Sequence, residues 1–333
     1  MKTVISTDRD AAVELLRKGD LVALPTETVY GLAANALNPI AVAKIFEAKD
    51  RPRFDPLIVH LPNREWLGRI ADLPTGDRQL IGKLADKYWP GPFTMVLPKR
   101  EVVPDIVTAG MDTVAVRLSA HHVFAKIVGE LDQPLAAPSA NRFGRISPTT
   151  AQHVLDELDG RIPLIVDAGP TEHGIESTIV AVRDGGIAIL RRGPITREQL
   201  SQFAEASSVV RTRTISSPGQ LPSHYAPQTP LCLIDSVEEF FPQKNQRVGL
   251  LAWHGKKGDL QIAQRRTGDR RSLKFAAVRN LSDRGDLREA AANLFRYLHE
   301  LDALGLDLII AERVPSRGLG AAIMDRLERA SQR

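Results

Sequence analysis

The chain of 333 residues is about two domains long, since globular domains run to roughly 100–200 residues each. Hydrophobic residues make up 43% and charged residues 25%, which excludes a disordered polyelectrolyte and leaves apolar material for two cores. Lys plus Arg number 44 against 40 Asp plus Glu, and the formal charge of +4 suits a nucleotide without requiring a nucleic-acid surface.

The chain opens on MKTVISTDRD, which turns charged at once and lacks the apolar core of a secretion signal. No later stretch nears the roughly 18 apolar residues of a membrane span, so a cytoplasmic protein with no membrane partner is expected. LVAL from Leu21 predicts a strand, followed by the polar turn PTETVYG with Thr26 and Thr28 ahead of a helix-prone segment. Asn38 and Pro39 predict a helix to about Ala48, with Asn as N-cap and Pro in the first turn. EAKDRPRFDPLIVH then sets Lys49 and Arg51 between that helix and a strand, PLIVHL from Pro56. Such cations either complement the helix dipole or hold an anion.

Further strands are predicted at FTMVL from Phe93, TVAVRL from Thr113, PLAAP from Pro134 and PLIVDAG from Pro163. His121 and His122 are adjacent, point in different directions and make a poor metal pair. Ser147 and Pro148 repeat the helix-start signal of Asn38 and Pro39. Residues 177–191 predict a hairpin turning at Asp184, Gly185 and Gly186, and Thr196 with Gln199 predicts a capping box. This half reads as a mixed α/β domain over residues 1–205.

Residues 206–230 break the pattern, with Pro218, Pro222, Pro227 and Pro230 in a stretch of neither helical nor strand period. A connection this long is disordered or functional, and its His and Tyr225 favour function. Beyond it, residues 231–333 predict a smaller open α/β domain. Its strands are LCLID, RVGLLAW, one near Phe275, and LDLIIAERV from Leu306. Its helix between Asp286 and Leu304 carries Leu287, Ala291, Leu294, Leu298 and Leu301 on one stripe and stops at Gly305. Cys232, the single cysteine, excludes a disulfide framework and a cysteine zinc site and is expected as a packed strand residue. The basic stretch 256–271 reads as a solvated loop, because no aromatic residue interleaves with its charges.

Neither a P-loop nor a strand-linked G-x-G-x-x-G occurs, and neither do G-x-S-x-G and S-x-x-K. A nucleotide would therefore be held by scattered Lys, Arg and hydroxyl groups, which fall mostly at the ends of predicted strands, where open α/β sheets place their ligands. APSAN supplies Ser139 and Asn141 after one apolar run, and GIESTIV supplies Ser177 before another. Turn chemistry is the alternative for each. Arg117 lies inside TVAVRL and needs an anionic partner, either a substrate carboxylate or a core Asp.

The order PTETVYG, K-D-R-P with PLIVH, WPGPFT, TVAVR, PSAN, G-x-x-STIV and ILRRG resembles the YrdC-like domain of threonylcarbamoyl-AMP synthases. SPGQLPSHYAP is similar to the linker of the long, two-domain form, with Pro222 where a Tyr is frequent. The resemblance spans nearly the whole chain. It implies a YrdC-like twisted mixed sheet with helices, plus a smaller C-terminal Rossmann-like open α/β domain. It implies an enzyme of nucleotidyltransferase type that makes threonylcarbamoyl-AMP and pyrophosphate from L-threonine, bicarbonate and ATP, with Mg2+ as the ion. The product feeds tRNA modification through downstream threonylcarbamoyl-transfer proteins, and tRNA binding by this chain is allowed but not required.

By motif, Thr26, His60, Arg117, Ala137 and Ser177 would line the threonine site, with a hydrogen-bonded core role as the alternative for His60. Lys49, Arg51, Asp55, Thr113, Ser139, Asn141, Ser147 and Arg191 would surround ATP, Lys49 and Arg51 acting on the transferring phosphate, and Tyr225 would cover the nucleotide. No residue is assigned to a protein-held metal. The competing reading is a YrdC-like RNA-binding module without adenylate synthesis; a carbamoyl-transfer enzyme is a third, although the zinc segments it would bring are absent.

Overall fold

The apolar runs pair into two sheets, one in each of two units. The computed structural model describes residues 2–207, 224–243, 245–255 and 275–332. One unit comprises Met1–Phe143 with Ser147–Leu221, the other Gly144–Ile146 with Pro222–Arg333. The division at Leu221 and Pro222 lies inside the stretch 206–230 that the sequence marks as a linker.

The first unit holds strands β1 (Val4–Ser6), β2 (Val22–Leu24), β3 (Gly31–Asn35), β4 (Ile58–His60), β5 (Phe93–Pro98), β6 (Thr113–Arg117), β7 (Leu135–Ala136), β8 (Leu164–Val166), β9 (Thr178–Arg183), β10 (Gly186–Arg191) and β11 (Ala206–Ser207). They form one mixed sheet in the order β1-β8-β2-β3-β7-β4-β6-β5-β9-β10-β11. Its helices are α1 (Arg9–Arg17), α2 (Pro39–Lys49), α3 (Leu67–Ile70), α4 (Arg78–Tyr88), α5 (Asp105–Thr108), α6 (His122–Leu131), α7 (Ala151–Leu158) and α8 (Arg197–Leu200). α1 and α6 pack on β2 and β8 through Val13, Leu16, Phe124 and Ile127. Val42, Ile45 and Phe46 of α2 and Leu84 of α4 join the larger core.

Strand alternation divides the central residues between two faces. Val59, Met95, Val116 and Val180 belong to the larger core. Their neighbours Ile58, Val96, Ala115 and Ile179 form, with Ala181 and Leu190, a small cluster on the other face. By the same alternation His60, Thr94, Thr113 and Arg117 share that second face, and the sequence site is built there.

Local signals explain many boundaries. Asn38 accepts from the backbone of Ile40 and Ala41 and starts α2 with Pro39 in its first turn. β9 and β10 turn on Asp184 and Gly185, both at positive φ, with Arg183 opposite Gly186. Thr196 and Gln199 form the capping box of α8.

Two expectations are corrected. The alanine-rich stretch after PTETVYG is β3, because it is buried between β2 and β7 and sheet pairing overrides helix propensity. Ser147 and Pro148 do not start a helix: Thr150 caps α7, its side chain accepting from the His153 N–H, while the Ser147 hydroxyl donates to Glu176 instead.

The second unit holds β12 (Leu231–Ile234), β13 (Val248–His254), β14 (Ala277–Ser282) and β15 (Leu308–Glu312) in the order β12-β15-β13-β14, every pair parallel. With α9 (Leu287–Asp302) and α10 (Gly320–Ala330) this is the expected open α/β layer. Asp286 caps α9, whose buried side includes Ala291, Leu294, Phe295, Leu298 and Leu301. Cys232 lies on β12 as expected but is exposed, since β12 is an edge strand and the alternation that buries Leu231 turns its neighbour outward. The stretch 256–271 lies outside the described residues. No helix among the described residues is long and apolar enough to cross a membrane.

Candidate active site

Arg117 ends β6 beside His60 of β4 and opposite Thr94 of β5. Its buried guanidinium meets an internal carboxylate, Glu27, with Nη2 2.8 Å from Oε1. Nη2 also donates to the Thr28 hydroxyl at 3.0 Å, and Nε donates to the Gly91 carbonyl at 3.3 Å. The two N–H groups of Nη1 donate to no protein group among the described residues. The anionic partner that a buried strand Arg requires is thus present in the turn PTETVYG, and one edge of the fork remains for a ligand.

The Glu27 carboxylate is itself buried, and its Oε2 accepts from the Ser119 hydroxyl at 2.5 Å. Burial pushes its pKa up, but Arg117 and the hydrogen bonds outweigh that and hold it down to about 2. His60 is fully enclosed, packs against Phe124 with ring centroids 5.0 Å apart, and leaves Nδ1 without a hydrogen-bond partner. Burial first and Arg117 second bring its pKa down to about 3, so the ring is neutral. The hydrogen-bonded core role considered for His60 therefore does not extend to Nδ1. Thr26 uses its hydroxyl within its own turn, donating to the Val29 carbonyl at 2.6 Å.

The cationic part is built by α2 and the loop after it. Lys49, the last residue of α2, is fully buried, and its Nζ donates to the carbonyls of Ser139, at 2.6 Å, and Asn141. It therefore ties α2 to the PSAN segment, whose Ser139 also bridges to Gly31 at the start of β3. Burial and then Arg51 lower the Lys49 pKa well below its ordinary range. Arg51 pairs with Asp55 at 2.9 Å and donates to the Asp55 and Pro56 carbonyls. Burial raises the Asp55 pKa, opposed by Arg51, Lys49 and Arg191. Lys49, Arg51 and Arg191 thus all act on the Asp55 carboxylate, and Glu157 acts on Lys49 as well, so basic side chains of the kind that bind phosphates gather here.

Arg191, at the end of β10, links this cluster to the threonine-type residues. Its Nε donates to the Ser177 carbonyl and its Nη2 to the Ser177 hydroxyl, both at 3.0 Å, and that hydroxyl lies 2.8 Å from Thr94 Oγ1. Ser147 donates to Glu176 at 2.5 Å, next to Ser177. Ala137 donates its backbone N–H to the Ile58 carbonyl at 3.1 Å. Thr113 is set apart: it opens β6, four residues from Arg117, with Ala115 of the apolar cluster between them on the same face. Tyr225 belongs to the second unit, at φ 65°, where its ring packs on His224 and Phe295 and lies 5.4 Å from the Arg326 guanidinium. The rings of His121 and His122 stack with centroids 5.0 Å apart, contrary to the expected divergence, because His121 is the extended N-cap residue and His122 the first residue of α6, so the regular alternation of a strand or helix does not span the pair.

Glu27, Thr94 and Glu176 escaped the sequence reading, and Thr28 was noted only as part of the polar turn. Glu27 and Glu176 each sit directly beside a residue that was singled out, Thr26 and Ser177, and the unpaired Arg117 was the signal that a carboxylate was missing.

The family profile described as "Telomere recombination" matches residues 14–193, and that described as "Threonylcarbamoyl-AMP synthase, C-terminal domain" matches residues 195–332. The chain belongs to the threonylcarbamoyl-AMP synthase family. It is 38% identical to the threonylcarbamoyl-AMP synthase of Pyrococcus abyssi, covering 96% of this chain and 93% of that protein. It is 39% identical to the threonylcarbamoyl-AMP synthase of Bacillus subtilis, covering 96% and 92%. Among solved threonylcarbamoyl-AMP synthase structures, that of P. abyssi Sua5 complexed with L-threonine superposes with a TM-score of 0.86 at 36% identity, covering 99% of this chain and 98% of that one.

Proposed function

We infer that this chain is a threonylcarbamoyl-AMP synthase that condenses L-threonine, bicarbonate and ATP, with release of pyrophosphate. The observation that carries this reading is the match of both family domains, in order, along one chain. The site chemistry agrees with it. Arg117 offers the Nη1 edge of its fork to the threonine carboxylate, with His60, Ala137, Thr26 and Ser177 lining the amino acid. The neutral amine of threonine attacks the bicarbonate carbon, and the bicarbonate hydroxyl leaves as water, carrying with it the proton lost from nitrogen. The resulting carbamate oxygen attacks the α-phosphorus and pyrophosphate departs, a nucleotidyl transfer with no covalent enzyme intermediate.

Lys49, Arg51 and Arg191 counter the charge on the transferring and leaving phosphates, the kind of preorganised stabilisation that dominates such reactions. Asp55, Ser139, Asn141, Ser147 and Thr113 complete the proposed ATP environment. Among the described residues no three His, Cys, Asp or Glu side chains could together hold an ion. The carboxylates of Asp55 and Glu27 already pair with arginines. Mg2+ is assigned to the substrate, carried on the ATP phosphates, which is its usual mode.

The buried placement of the three cations gives no support to an RNA-binding surface. The product is a mixed anhydride, an activated acyl donor, and its proposed consumer is a protein that transfers the threonylcarbamoyl group to a tRNA adenosine. The test is pyrophosphate release with ATP, L-threonine and bicarbonate each omitted in turn. Release is expected only with all three, and release independent of threonine or bicarbonate would sink the reading. The assignment of Tyr225 to the nucleotide rests on motif resemblance alone. Tyr225→Ala should raise the KM for ATP, and unchanged kinetics would remove it from the site.

A further inference from the structure

We propose that Glu27 is a positioning residue for threonine, acting through Arg117 by setting which edge of the guanidinium faces the amino-acid carboxylate. This inference rests on the assignment of threonine to Arg117 made above.

A guanidinium has five N–H groups, and its value in recognising a carboxylate is a planar, two-point fit. At Arg117 three of the five have fixed directions. Nη2 faces Glu27 Oε1 at 2.8 Å and Thr28 Oγ1 at 3.0 Å, and Nε faces the Gly91 carbonyl at 3.3 Å. Thr28 and Gly91 contribute neutral acceptors, whereas Glu27 contributes the one charged contact.

Glu27 is immobilised in turn. Its second carboxylate oxygen takes the Ser119 hydroxyl, and its backbone carbonyl takes the His173 N–H at 2.9 Å. The same Ser119 oxygen accepts the His121 backbone N–H at 3.3 Å, which anchors the arrangement to the start of α6. Glu27 remains ionised throughout the working pH range, since Arg117 and Ser119 hold its carboxyl far below neutrality. The carboxylate thus has no titration to perform, and its two oxygens face Arg117 and Ser119. Its chemistry is orientation.

Orientation and charge make opposite predictions, which makes the proposal testable. If Glu27 only neutralised Arg117, removing its charge would strengthen carboxylate binding. If it positions Arg117, removing it lets the fork turn and weakens binding. Glu27→Gln should raise the KM for L-threonine roughly ten- to hundredfold, the scale of one charge-assisted hydrogen bond. The KM for ATP should stay within about twofold of wild type, and Glu27→Asp should recover part of the loss.

The readout that a merely structural role would leave unmoved is ligand discrimination, measured by calorimetry on the intact chain with L-threonine and with L-threoninol, which lacks the carboxylate. Wild type should prefer threonine strongly, and Glu27→Gln should lose most of that preference through weaker threonine binding, with threoninol binding unchanged. An unchanged or lowered threonine KM, or a preserved preference, would overturn the proposal. Should Glu27→Gln not fold, Ser119→Ala removes only the contact that steadies the carboxylate. It should raise the threonine KM by about threefold to tenfold, and a Ser119→Ala protein with wild-type discrimination overturns the proposal too. Failure of the functional reading itself would look different, because wild type would then release no threonine-dependent pyrophosphate and show no preference for threonine.

Discussion

At the scale of single residues, the site consists of charges taken out of water and given fixed partners. Lys49 shows what this implies. Its Nζ holds two carbonyls of the PSAN segment, so Lys49→Met should leave both without that donor, lower stability by about 1–3 kcal/mol and raise the KM for ATP more than that for threonine. Thermal unfolding and steady-state kinetics would check this, and a Met variant with wild-type melting and ATP kinetics would contradict it. His60 and Glu27 make the fold acid-sensitive in separate windows. The ordinary His value is 6.5 and the folded one about 3, so below about 6.5 the unfolded chain binds a proton that the native state refuses, and stability falls until about pH 3. Glu27 contributes its full stabilisation above its ordinary 4.5 and loses it as pH falls toward about 2. Melting temperatures between about pH 7.5 and pH 4 should therefore decline earlier for wild type than for His60→Gln. Parallel curves would show that His60 is not the first group to respond.

At the scale of elements, strand ends are positioned by close backbone approaches that only glycine permits. A Cβ on Gly193, just after β10, would sit against the Thr178 backbone nitrogen and 2.6 Å from the Glu176 carbonyl. Gly193→Ala should push the β9 entry that carries Ser177, costing about 1–3 kcal/mol and reducing kcat/KM for threonine. A variant matching wild type in both would show that the strand entry can relax freely.

The same contrast between local and distant forces governs what could be read from sequence. The Asn38 cap, the Asp184 and Gly185 turn and the Thr196 capping box are local and were legible, because each signal and its consequence lie within four residues. β3 was not legible, since its alanines favour a helix until β2 and β7 bury them. The singled-out cations Lys49, Arg51, Arg117 and Arg191 do occupy buried, partnered places. What could not be foreseen was their partners: Ser139 lies 90 residues from Lys49, and Thr28 lies 89 residues from Arg117. Charge type was readable from sequence, and pairing across folded distance was not.

At the scale of the whole molecule, the division into units does not follow a single cut in the chain. Gly144–Ile146 belong to the second unit although the residues on both sides belong to the first. Within the second unit the Ala226 N–H donates to the Gly144 carbonyl at 2.9 Å, and Arg145 pairs with Asp302 at 3.6 Å. Asp302, at the end of α9, also accepts the Gln228 and Thr229 N–H groups at 2.8 Å each. Asp302→Ala should therefore cost about 2–4 kcal/mol in denaturant unfolding, and a loss under a tenth of that would discount the contact. A chain ended before Pro222 would keep Gly144–Ile146 but lose the residues they bond to. Cys232 has a practical consequence of another kind. As the single thiol of the sequence, exposed on an edge strand of the second unit, it accepts one maleimide dye per chain without any prior mutagenesis. Fluorescence anisotropy of that dye would report the rotational motion at β12, with and without ATP and threonine.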